Sequence, residues 1–187
     1  LPARSLHFVP APYADQFPRI PVYRYLLMQM IESWRKKEFY DFVKFSGCLS
    51  HAMGDCTQPA HIGPDSNGQI LRQLFPVPEI PRLQDFHYHT SVEAVCGKCG
   101  MLNTPKLLGE SPEEVAWKLA CLAQKAVYSC RRFLIPTIEA LFANDLARAE
   151  NLAQEPVTIA AQLTANAVFS AILLAEGTAE DLPDEDL

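Results

Sequence analysis

His51, Asp55 and His61 fall within one short stretch, His-Ala-Met-Gly-Asp-Cys-Thr-Gln-Pro-Ala-His, and His89 and Glu93 repeat the histidine-to-acid spacing of four residues further along the chain. On a helix, residues four apart lie on one face a turn from each other, so each pair aims an imidazole and a carboxylate in one direction. Imidazole nitrogens and carboxylate oxygens are ligands for zinc and its neighbours. A pair of this kind is also an ordinary surface ion pair. Only five histidines are present, however, and three of them belong to these two windows. The two pairs and His61 together predict a metal site built between helices, of the kind found inside helical bundles. His87 is the rival of His89, but Ser91 stands four residues after it where an acid is needed, so a partly buried supporting histidine is expected there.

Those residues need helices to hold them, and the pattern supplies these. From Pro21, Tyr23, Leu26, Leu27, Met30, Ile31 and Trp34 recur at helical spacing, which predicts an amphipathic helix to about Lys37 with that stripe in the core. A second helix is expected over 39–55, with Gly54 and Pro59 ending it near the motif. Residues 62–81 are rich in Gly, Pro, Asn and Asp and predict a long surface loop forming one wall of the site. A third helix is expected after Pro81, carrying His89 and Glu93 and ending before Gly97 and Gly100. Ser111-Pro112-Glu113-Glu114 provides a cap serine, a proline at the first helical position and a glutamate that can reach back. The helix it opens is expected to run to Leu134, with Pro136 breaking it, a further helix over 137–151 and another from Pro156 to Ala175. Period-two alternation and internal repeats are absent, so the class is all-α, a multi-helix bundle.

The 187 residues, 49% of them apolar, carry a formal charge of -6. A single folded domain over residues 1–176 is expected, followed by an acidic tail over 177–187. Arg35, Lys36 and Lys37 form the one basic cluster, which reads as cations at a helix C-terminus and is too small to neutralise many phosphates; stable nucleic-acid binding is not expected. No uninterrupted run of about eighteen apolar residues occurs, so no transmembrane span is expected. Cys96-Gly-Lys-Cys99 has the spacing of a redox pair, buried thiols or half a zinc knuckle, and no second such pair accompanies it.

The stretch from Phe45 to His61 resembles the signature of the bacterial zinc-dependent phospholipase C family, His-x-x-Gly-Asp-x-x-x-Pro-x-His on a helix and its following turn, with Gly54 and Pro59 matching as well as the ligands. Single-strand-specific zinc nucleases are its relatives. His89 and Glu93 resemble the family's later His-x-x-x-Glu pair, and Glu93, where the nucleases typically have Asp, favours the phospholipase branch. His7 corresponds to a metal-binding histidine ahead of the first long helix. The order and length of the helices from Ser111 through Ala175 are also similar.

The resemblance implies two or three zinc ions. One is held by His7, His51 and Asp55, another by His61, His89 and Glu93, with Asp55 bridging to a third and serving the catalytic step. It implies hydrolysis of a phosphodiester, with a phospholipid headgroup ester as the substrate, compatible with peripheral membrane contact and a secreted or extracytoplasmic location. The alternatives are a nuclease-type zinc phosphodiesterase and a non-catalytic zinc-binding helical module. Family members open on an amino-terminal tryptophan that binds metal, then a further histidine and aspartate. None of these precedes His7 here, which implies either an excised portion of a longer protein or a reduced site. The sequence carries no signal for oligomeric state.

Overall fold

Residues 15–62 and 69–177 are described by the structure, a computed structural model, and every regular element among them is helical. The α-helices are α1 (Ile20–Arg35), α2 (Phe39–Thr57), α3 (Gln69–Leu74), α4 (Tyr88–Ala94), α5 (Pro112–Cys130), α6 (Leu134–Phe142) and α7 (Leu146–Glu176). The protein is an all-α multi-helix bundle. His7 and the acidic residues from 178 onward lie outside the described residues.

Helices α1, α2, α5 and α7 pack on one another through the expected apolar stripes. Tyr23, Leu27 and Met30 of α1 meet Leu49, Met53 and Cys56 of α2, Leu119, Ala123 and Val127 of α5, and Ala167 and Ala171 of α7 in one buried cluster. Full burial of each large apolar side chain contributes about 1.5–3 kcal/mol. A second cluster holds the chemistry-bearing segment in place. Leu71, Leu83, Phe86, Tyr88 and Val92 close against Leu134 and Ile138 of α6. Tyr88 also donates its hydroxyl to the Phe75 carbonyl. This fixes α4, a short helix that could not hold itself in water.

Several expected boundaries are corrected. The second helix runs on to Thr57, because Pro59 pushes only its predecessor Gln58 into extended geometry (φ −66°, ψ 116°). The loop expected over 62–81 contains α3, nucleated by the buried Leu71. The helix opened by Ser111 ends at Cys130, followed by a 3-10 turn over Arg131–Phe133. Pro136 does not break the chain: it sits in the first turn of α6, where an N–H has no intrahelical partner. Nor does a helix begin at Pro156. Asn144 adopts φ 60°, Asp145 caps Arg148 N–H at 3.0 Å, and α7 continues from Leu146 straight through Pro156. Burial of Ala149, Ala153, Pro156 and Leu163 offsets the hydrogen bond that the proline cannot donate.

The expectation about membrane spans also changes. Helix α7 is long and apolar enough to cross a membrane by length and composition, with an 18-residue window of mean hydropathy 1.7, since Gln162, Thr164 and Asn166 interrupt the apolar run without lowering its average far. In the structure that helix packs against α1, α2, α5 and α6. The Ser111 cap is present, with Glu114 N–H donating to Ser111 Oγ at 3.2 Å, while the Glu114 carboxylate reaches the Glu110 amide. All six thiols are free, Cys96 and Cys99 included.

Candidate metal centre

Both histidine-to-acid pairs are helical and face each other. His51 and Asp55 sit in the last turns of α2, with His51 Nε2 3.7 Å from Asp55 Oδ2. His89 and Glu93 sit on α4, with His89 Nε2 3.4 Å from Glu93 Oε2. His61 stands between them. Its Nδ1 is 3.5 Å from Asp55 Oδ1, its Nε2 is 3.6 Å from Glu93 Oε1, and its ring centre lies 4.5 Å from that of His89. The structure thus brings together five of the six residues singled out in the sequence.

The turn that returns His61 to the helix end has a specific cause. Gln58, extended because Pro59 follows it, accepts with its side-chain oxygen from the backbone N–H of Ala60 and, at 3.1 Å, of His61. Its main-chain oxygen accepts from His61 and Ile62 at 3.0 and 3.3 Å. Arg131 Nε then holds the Ile62 carbonyl at 3.1 Å. Sequence reading passed over Gln58; the signal was a glutamine immediately before a proline at a helix end, where its side chain can close a turn on itself.

His61, His89 and Glu93 form the tightest group, with one ligand atom from each lying within 4.8 Å of the others. His61 Nε2 is buried and has no hydrogen-bond partner, an arrangement that costs free energy in a finished fold. A metal ion would satisfy it. Burial holds the His61 imidazole below its ordinary pKa, opposed by the Asp55 carboxylate, so the neutral form that ligates is favoured. Two imidazoles and a carboxylate are the donor set of an open zinc site, and the residues present fit that ion. Asp55, 4% exposed, and the half-exposed His51 adjoin this group.

A pocket of about 250 Å³ opens on His51, Asp55, His61 and Glu93. Its lining includes Gly54, Gln58, Cys96 and, from α7, Pro156, Val157 and Ala160, with no lysine or arginine among them. Burial pushes the Cys96 thiol up to about 11 and that of Cys56, beside Asp55, up to about 12, so both remain protonated near neutral pH. His87, expected to be partly buried, is instead exposed ahead of α4, because the hydrophobic residues on either side of it, Phe86 and Tyr88, turn inward. Compared with family models, curated proteins and solved structures, the chain matches none.

Proposed function

We propose that the protein is a zinc-dependent phosphodiester hydrolase, phospholipase C-like in its chemistry. The observation that supports the reading is the meeting of His61, His89 and Glu93 around a buried His61 nitrogen that makes no hydrogen bond of normal length, beside Asp55 and next to a pocket. His61, His89 and Glu93 hold one ion and His51 and Asp55 contribute to another. Zinc at such a site polarises phosphoryl oxygens and lowers the pKa of a bound water. Asp55 and Glu93 keep the cluster anionic enough to retain the metal, and since the described lining carries no lysine or arginine, phosphate attraction falls to the metal itself. The half-exposed His51 stands at the rim, where a proton can pass to solvent.

The test is to load the protein with zinc, measure bound metal by elemental analysis, and assay a phosphocholine ester and single-stranded DNA side by side. Zinc retention with hydrolysis of the ester, lost on chelation, is expected. Protein that retains no zinc would remove the basis of the reading. A non-catalytic metal module is the second reading, favoured by one observation: the ligands come from two separately packed segments that an ion would tie together. In that case zinc is retained with no activity on either substrate.

A further inference from the structure

Gln58 has a second end. Its side-chain oxygen is fully engaged by the backbone N–H groups of Ala60 and His61, which also fixes which end of the carboxamide is nitrogen, since those donors need an acceptor. The nitrogen, Nε2, is buried and makes no hydrogen bond. The residue is 8% exposed and lines the pocket that holds His61, Asp55 and Glu93. Beside it is Gly54, a glycine inside a helix whose added Cβ would meet nothing within 4 Å. Packing therefore does not require that glycine, although glycine weakens a helix interior. A locked donor without a protein acceptor, on a residue that lines a pocket, is how a site receives an oxygen atom of a ligand.

Resting on the zinc reading above, we infer that Gln58 is a ligand-contacting residue whose side-chain N–H donates to an oxygen of a tetrahedral oxyanion, of the phosphate class, bound in this pocket. The chemistry selects that class. Nε2 only donates, so its partner must accept. An anionic acceptor beside Asp55 and Glu93 would be held by the metal those residues retain. A phosphoryl group offers several oxygens in divergent directions, one for the metal and one for Gln58. Gln58 then does two things at once: its oxygen sets the position of His61, and its nitrogen orients the ligand.

The two roles separate in Gln58→Glu, which keeps an acceptor for Ala60 and His61 and replaces the donor by a carboxylate oxygen. With inorganic phosphate as the probe, titrated calorimetrically into the zinc-loaded 187-residue chain, Gln58→Glu should retain wild-type zinc content and bind phosphate at least about ten-fold more weakly. Unchanged phosphate affinity in zinc-replete Gln58→Glu overturns the inference and leaves the metal reading standing. Failure of zinc-loaded wild type to bind phosphate overturns it too, whereas failure of wild type to take up zinc overturns the metal reading first. If the variant does not fold, the wild-type protein decides: the Gln58 side-chain amide resonances should move on phosphate addition in the zinc form, and their indifference overturns the proposal.

Discussion

His61 is 8% exposed and has a carboxylate off each ring nitrogen, Asp55 Oδ1 at 3.5 Å and Glu93 Oε1 at 3.6 Å. These separations are long for hydrogen bonds; on the proposed reading Nε2 would take the ion while Asp55 orients Nδ1. Removing the ring should therefore damage metal retention more than removing any other single histidine. His61→Ala is expected to weaken zinc binding by more than about 100-fold in competition with a chromophoric chelator, exceeding what loss of a supporting residue does. His87→Ala should leave affinity unchanged, since that side chain is exposed outside the cluster. Equal losses in the two variants would show that the ions are held elsewhere. The place of His61 beside Asp55 was legible in the sequence because its type and its distance from Asp55 are both visible there. Gln58 was not, because an unsatisfied nitrogen is a property of a closed turn and cannot be seen until both acceptor contacts of the same amide exist.

At the scale of elements, α7 acts as a rail for an irregular segment that periodicity could not assign. Gly100, Asn103, Lys106 and Leu108 donate their backbone N–H to Thr158 Oγ1, Gln162 Oε1, Asn166 Oδ1 and Ser170 Oγ at 2.7, 2.7, 3.0 and 3.0 Å. The four acceptors recur every fourth residue, so they form one polar stripe along the helix. That stripe is visible in the sequence, but its partner is a stretch of backbone whose demand for acceptors has no sequence pattern. The same holds at the end of α7, where Arg35 reaches the carbonyls of Leu174 and Ala175 at 2.8 and 3.1 Å and so completes a helix terminus far from it in sequence. Apolar spacing revealed the main helices, whereas Pro136 and Pro156 misled because position within a turn and burial outweighed the general rule. Asn166 and Ser170 are the buried members of the stripe, and Asn166 also accepts from Gln162 Nε2 at 3.0 Å. Asn166→Leu should cost about 1–3 kcal/mol, read as a lower urea midpoint with unchanged slope, because two donors lose their acceptor. A midpoint equal to wild type would mean that the segment is held by its side chains alone.

Across the whole molecule, the proposed ligands join two bodies of hydrophobic packing. His51 and Asp55 ride on α2, whose apolar face belongs to the main four-helix cluster, while His89 and Glu93 ride on α4, whose Tyr88 and Val92 belong to the cluster closed by α6. His61 sits at the junction, anchored from one side by the Gln58 turn and followed by Ile62, which belongs to the main cluster. An ion held by His61, His89 and Glu93 therefore binds only when both bodies are in place, and must stabilise the folded chain against the unfolded one. At free zinc about 100 times the dissociation constant, mass action adds about 2.7 kcal/mol. For a domain of this size that corresponds to a rise in Tm of roughly 5–10 °C. Calorimetry with and without zinc should show this shift in the wild type and lose it in His61→Ala, while Asn166→Leu, lowered in stability for a separate reason, should keep it in full. A shift that survives in His61→Ala would place the stabilising ion away from the junction. Its absence in wild type would mean that the two bodies are joined by packing alone.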